Sequence, residues 1–305
     1  MKWQANSKVI IQGITTPLGT VYGKQMKAFG MNIVAGISIS GESPKIDGIP
    51  VFNLVEKAIS EFENIDISVI FTPPYKVLDA ALEAMASGIR QLVIVSGGVP
   101  PLDMIDLLHK AQVNQTFILG SGSQGLVVPN QFWLGICEHS FYSPGSVGIV
   151  SRCDRLVDEI ARELTRAKLG QSLVVSLGKD FIIGSNFEHW LQILEEDSST
   201  KVIVILGRGN SHAELCAVEY IASAIEKPVI AYIAGLYTPI ERNFRDAKTI
   251  VAAQLSSSVI QIPPEESIID GFKKAKVKVA QHPTEIIKLV KMAISRKSLP
   301  RQLGT

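Results

Sequence analysis

Residues 8–20 read KVIIQGITTPLGT. Val9, Ile10 and Ile11 are consecutive β-branched residues, which suits a strand covered on both faces. Gly13 and Gly19 bracket a Thr-Thr-Pro turn, and helical spacing follows near Val21–Phe29. A strand, a glycine turn and a helix in that order begin a βαβ unit, so the passage predicts a parallel sheet packed under helices. Such a turn also offers backbone N–H groups and the positive end of a helix dipole to an anion. The dinucleotide pattern GxGxxG is not met, because position 15 is Thr, and there is no Walker A lysine. The alternative use of the glycines is a tight turn that relieves crowding.

The same alternation continues outward. Met31–Ile37, Ile67–Phe71, Gln91–Val95 and Gln115–Leu119 read as strands, and Leu54–Phe62, Lys76–Ser87 and Pro100–Ala111 as helices. Residues 126–146 interrupt the rhythm with Pro129, Trp133, His139, Pro144 and Gly145, and read as a connection between domains. Strands resume at Val147–Ser151, Leu173–Ser176, Val202–Leu206, Val229–Ile233 and Ile250–Val251. Helices are expected at Arg155–Ala167, Ser211–Ile225 and Glu285–Ser295. The expected fold is α/β, with two doubly wound domains at 1–145 and 146–305. Ligand sites in such sheets lie at the carboxyl ends of the strands.

Composition narrows the classes. The 305 residues are 46% hydrophobic and 19% charged, enough for a buried core without staples. Cys137, Cys153 and Cys216 form no CxxC pair, which argues against a disulfide scaffold or a zinc module. This suits a reducing, cytoplasmic setting, and no metal site is expected. The apolar runs are strand-sized, so no membrane span is expected. The opening MKWQANSK runs straight into VIIQG, so no signal peptide is expected. Residues 273–301 carry nine Lys or Arg against the single acid Glu285. No aromatics or Gly-Arg repeats accompany that charge, so it reads as a solvated helix and its flanks, and nucleic acid is not an expected partner.

Several strings together point to a family. They are QGIT-x3-GT at the first turn, Gly36 followed after eleven residues by GIPVFN (48–53), and GGVPPLDM (97–104). The second half adds SPGSVGIVSR (143–152), GSNF (184–187) and KPVIAYIAGLYTP (227–239). In this order and register, over about residues 5–270, the chain resembles the alpha subunit of succinyl-CoA synthetase. The resemblance implies an N-terminal Rossmann-like CoA-binding domain and a C-terminal flavodoxin-like ligase domain. It also implies CoA as cofactor and a beta subunit as partner, with a homo-oligomer as the other arrangement. It places CoA-binding positions at Gly13, Thr15, Thr16, Pro17, Leu18, Val95, Ser96 and Gly97.

The resemblance fails where the family does chemistry. The family passes a phosphoryl group through a histidine, whose position here is Asp246 in TPIERNFRDA. The glutamate that orients that histidine aligns with Arg208. Catalytic residues are therefore not assigned, and an ion pair between Arg208 and Asp246 is expected across the old phosphate site. An aspartyl phosphate at Asp246 would need an acid cluster, and none is evident around it. Pro17 loses an N–H donor and Leu18 replaces a polar side chain. A family lysine aligns with Gly41, with Lys45 nearby, and the Glu of a TEG string aligns with Gly97. The PNCPG loop, beside the CoA thiol in the family, becomes Ser121–Gly125. A substrate-side Tyr becomes Asp158. Fold-setting positions such as Gly13, Gly19, Gly36, Pro50, Pro100, Gly148, Gly184, Gly235 and Pro239 match.

The expected function is a succinyl-CoA synthetase alpha-like protein that binds CoA or a related nucleotide without the phosphohistidine cycle, a pseudoenzyme of the ligase family. One alternative is an active acyl-CoA ligase alpha subunit working with a beta subunit. The other is a nucleotide- or anion-binding regulatory module using Arg208, Lys179 and Arg152. Cys153, beside a helix N-terminus, is a candidate reactive thiol that Asp154 opposes. His212 reads as a helix-opening residue capped by Asn210 or Ser211. Asp180 matches a family Asp and is placed to accept backbone N–H bonds.

Overall fold

The computed structural model describes residue 4 and residues 6–38, 44–208, 213–235 and 265–297. The chain divides into two compact units, Met1–His139 with Val175–Ser185, and Ser140–Val174 with Asn186–Thr305.

The first unit opens with β1 (Val9–Gln12), α1 (Pro17–Phe29), β2 (Ile33–Ile37), β3 (Lys45–Ile46), β4 (Ile49–Phe52) and α2 (Val55–Phe62). It continues with β5 (Ile67–Ile70), a 3-10 turn (Pro74–Lys76), α3 (Val77–Ala86), β6 (Gln91–Ile94), α4 (Pro101–Val113) and β7 (Phe117–Leu119). The strand order is β3-β4-β2-β1-β5-β6-β7. Neighbours run parallel except β3 and β4. The chain builds outward from β1 through β2 to β4, then returns to β1 and builds the other way from β5. The switch point therefore falls between β1 and β5, where a doubly wound sheet opens its ligand crevice.

The apolar run of β1 is fully buried at Val9, Ile10 and Ile11. Ile10, Ala35, Ile70 and Leu92 pack in one cluster with Val55, Ala81, Met85 and Leu107 from α2, α3 and α4. Ile11 meets α1, where a Cβ on Gly23 would stand 2.8 Å from its Cδ1. One polar side chain is built into this interior. Gln12, 2% exposed, donates to the Ala80 carbonyl at 2.9 Å and accepts from Ser68 Oγ at 2.7 Å. Its amide also reaches Glu83 at 3.4 Å, and Glu83 caps the start of α2 through the Val55 N–H at 2.8 Å.

Residues 126–146 depart from the expected plain connection. They begin with an antiparallel hairpin, β8 (Gly125–Val128) and β9 (Phe132–Gly135), turning at Pro129-Asn130 with Asn130 at φ +61°. The β9 amides of Trp133 and Gly135 donate to the sulfurs of Met31 and Met26 at 3.4 Å each, which fastens the hairpin to α1 and its exit. Strands of four residues with two prolines nearby give too little alternation to read from sequence.

The second unit contains β10 (Pro144–Ser151), α5 (Leu156–Arg166), β11 (Gln171–Ser176), α6 (Phe187–Glu196), β12 (Val202–Arg208) and α7 (Ala213–Ala224). Then come β13 (Val229–Ala234), α8 (Glu265–Lys274), β14 (Lys278–Ala280) and α9 (Glu285–Lys297). Along its sheet the order is β11-β10-β12-β13-β14, the flavodoxin-like winding, with its switch point between β10 and β12. Helix α6 is not among the expected helices, although its pattern is present in the sequence. Phe187, Trp190, Leu191 and Leu194 recur at helical spacing and are 0–1% exposed, and Asn186 caps the first turn through the His189 N–H. The expected strand at Ile250–Val251 lies outside the described residues.

The Gln12 network yields a test. Gln12→Leu leaves the Ser68 hydroxyl and the Ala80 carbonyl buried without their partner. Urea denaturation should show the first unit destabilised by about 1–3 kcal/mol.

Candidate functional site

The loop after β1 is set by steric crowding. Gly13 has φ +81°, and a Cβ there would stand 2.8 Å from the Thr72 nitrogen at the end of β5. A Cβ on Gly19 would stand 2.2 Å from the Gly13 carbonyl oxygen. Helix α1 therefore starts directly above the switch point. Thr16 caps it, accepting the Gly19 N–H at 3.1 Å while its hydroxyl donates to Gly13 O at 2.8 Å. Pro17 occupies the first helical position, where a missing N–H costs least. No acid lies in the first turn, so nothing there opposes an anion. Thr15, Pro17 and Leu18 are exposed. Among the described residues no acceptor takes the amide hydrogens of Thr15 or Leu18. The Thr15 hydroxyl lies 3.0 Å from that of Ser38 at the end of β2, a partner the sequence did not single out.

The other positions that the resemblance assigns to CoA sit two strands away. Val95 is buried, and its amide donates to Ile70 O at 3.1 Å, so it belongs to the sheet edge of the core. The Ser96 hydroxyl donates to Thr72 O at 2.5 Å, which ties the loop after β6 to the switch point. Gly97 packs against the Lys179 side chain, whose Cε would stand 3.0 Å from a Cβ placed there. The structure thus gathers Gly13, Thr15, Thr16, Pro17, Leu18, Val95, Ser96 and Gly97 at one end of the first sheet. Asp180 accepts backbone N–H bonds as expected, from Gly98 at 2.8 Å.

In the second unit, the loop after β10 meets the end of β12. The Cys153 thiol donates to Gly207 O at 3.0 Å, and the Ser151 hydroxyl donates to Cys153 O at 2.8 Å. Burial pushes the Cys153 pKa up to about 11, despite the opposing charges of Arg208 and Arg152. That corrects the reactive-thiol reading, because desolvation of the thiolate outweighs the cations. Arg208 ends β12, and its backbone N–H donates to the fully buried Glu214 at 2.7 Å. Asp246 and His212 lie outside the described residues, so the expected Arg208–Asp246 pair does too. Asp158 is buried and accepts the Tyr142 hydroxyl at 2.5 Å. Helix α5 buries Val157, Ile160 and Ala161 alongside it.

No group of three His, Cys, Asp or Glu able to hold a metal occurs among the described residues. No described helix is long and apolar enough to cross a membrane.

Residues 4–98 match the family model of the CoA binding domain, and residues 144–260 that of the succinyl-CoA ligase like flavodoxin domain. A succinate–CoA ligase [ADP-forming] subunit alpha from Archaeoglobus fulgidus is 34% identical over 284 residues, covering 93% of this chain and 96% of that one. One from Aquifex aeolicus is 32% identical over 284 residues, covering 92% and 90%. Among solved structures, ATP citrate lyase from Methanothrix soehngenii, in complex with citrate and coenzyme A, superposes with a TM-score of 0.81 at 20% identity. That match takes in 100% of this chain but 53% of the lyase chain, and it shows the fold alone.

With a pKa of about 11, roughly one Cys153 thiol in a thousand is ionised at pH 8. Iodoacetamide at pH 8 should leave Cys153 unmodified in the folded chain and alkylate it after denaturation. Mass spectrometry of the tryptic peptides reads the difference.

Proposed function

The chain belongs to the succinate–CoA ligase alpha-subunit family, and from that premise we propose that it holds CoA on its first unit without running the family's phosphohistidine cycle. The observation that carries the binding half is the α1 turn. It is glycine-closed, free of acids and placed at the switch point, with the Thr15 and Leu18 amides unengaged among the described residues. Those features fit the phosphates of a nucleotide. Gly13, Thr15, Thr16, Leu18 and Gly97 would hold CoA, with Ser96 fixing the loop between them. Bound CoA supplies the thiol that carries an acyl group as a thioester.

This chain's own residues then bind and orient. The α1 N-terminus donates to phosphate oxygens, and its dipole favours their charge. The Thr15–Ser38 hydroxyl pair lines the same turn. The second half of the reading rests on the exchanged relay. Asp246 has no imidazole nitrogen to attack a phosphoryl group in line, and Arg208 replaces the carboxylate that would orient one. A beta-like subunit is the partner that fits the family, and a role as a regulatory or scaffolding chain follows. A reducing, cytoplasmic setting fits the isolated thiols.

Two experiments test the reading. CoA at about a hundred times its Kd should stabilise the chain by about 2.7 kcal/mol. Thr15→Asp, an exposed position, should weaken binding at least tenfold by like-charge repulsion, read by thermal shift or calorimetry. With a beta subunit and nucleotide labelled with 32P in the terminal phosphate, the folded chain should take up no label. Label on the chain would instead make it an active ligase subunit.

A further inference from the structure

The last strand of the second unit, β14, is the outermost of its sheet. It pairs in parallel with β13 and with no other described strand. Such an edge leaves one row of backbone N–H and C=O groups without a ladder partner. Helix α8 leads into β14 and packs against α7, and α9 follows β14 and packs against α5. Ile268 and Phe272 of α8 and Ile286 and Val290 of α9 are fully buried, so an apolar stripe seats each helix. The charge that the sequence places at residues 273–301 is left for the outer faces and for β14 itself.

That charge is not compensated. Lys274, Lys276, Lys288 and Lys291 are exposed, and Lys278, on β14, is half-buried. Among the described residues none of these five forms an ion pair. Asp270 is taken by Lys273 at 3.5 Å, and Glu285 accepts the Gln281 N–H at 2.9 Å. Lys288 and Lys291 stand three residues apart on one helix face, where like charges repel. On α5, by contrast, Arg162 meets Glu159 at 2.6 Å and Arg166 meets Glu163 at 2.8 Å.

An open ladder edge beside unanswered lysines fits an acidic chain in extended form. Its backbone would continue the ladder and its carboxylates would answer the lysines. Nucleic acid fits less well. Phe272 is the one Phe, Tyr or Trp within residues 265–297, and it is fully buried, so no ring is offered for a base to stack on. We propose that the β14 edge is a docking surface for an acidic extended segment of a partner protein, which adds as a strand beside β14 while the five lysines meet its carboxylates. This is independent of the CoA reading.

The test titrates the full chain into a fluorescein-labelled octapeptide alternating Glu and Val, read by anisotropy. Binding should saturate, and should weaken about threefold or more between about 50 and 200 mM salt. Lys288→Glu with Lys291→Glu should raise the Kd about tenfold. Lys274→Glu alone should raise it by a smaller factor, and circular dichroism checks that each variant folds. A peptide of equal charge with Pro in place of every Val should bind about fivefold more weakly, because it lacks those ladder donors. With the Glu-Val peptide bound, amide exchange within Lys278–Ala280 should slow about fivefold or more. No binding at millimolar peptide overturns the proposal and leaves the lysines as guards against edge pairing. Equal binding of the proline peptide, or tighter binding of an oligothymidylate of equal charge, also overturns it, as does unchanged exchange in β14.

Discussion

The close approach of backbone to backbone at Gly13 and Gly19 is the constraint on which the first unit depends. With a side chain at either position, β1 could not turn into α1 directly beside β5. The same tightness repeats behind the turn, where a Cβ on Gly36 would stand 2.7 Å from Ile14 Cγ2. Ile14 is fully buried, so it plugs the start of the helix layer into the sheet. Gln12 locks the neighbouring strands and helices from inside. The consequence is a helix N-terminus held at the crevice, where the Thr15 and Leu18 amides find no acceptor among the described residues.

The second unit uses the same topology differently. At its switch point a Cβ on Gly207 would stand 2.9 Å from the Glu214 Cγ. The Glu214 carboxylate takes up the Arg208 N–H, and the Cys153 thiol takes up the Gly207 carbonyl. Those two backbone groups are answered by the unit's own side chains. At the α1 turn of the first unit, by contrast, the Thr15 and Leu18 amides find no acceptor among the described residues. That difference, and the exchange of the relay residues at positions 208 and 246, separate binding from phosphoryl transfer in the proposed function.

Much of this was legible in the sequence, for identifiable reasons. Runs such as VIIQ and VIVIL are β-branched and apolar on both faces, which signals strands buried under helices. The strands at β1, β5, β6 and β12 follow from that alone. The β8–β9 hairpin was not legible, because its stability comes from methionine sulfurs distant in sequence. Helix α6 carries a clear apolar stripe in its sequence, at Phe187, Trp190, Leu191 and Leu194. At the site, the glycine turn and the threonines could be named from residues 13–20, and Asp180 from its motif. The Thr15–Ser38 pair and the burial of Cys153 and Asp158 could not. Each depends on which loops or helices the topology brings together.

In the proposed function the first unit holds phosphate at the turn between β1 and α1. A crystal structure of the chain with CoA tests it most directly. CoA phosphate oxygens should lie within hydrogen-bond distance, about 2.7–3.2 Å, of the Thr15 or Leu18 amides at the start of α1. Phosphates seated elsewhere on the chain, with the Gly13–Thr20 turn empty, would contradict it.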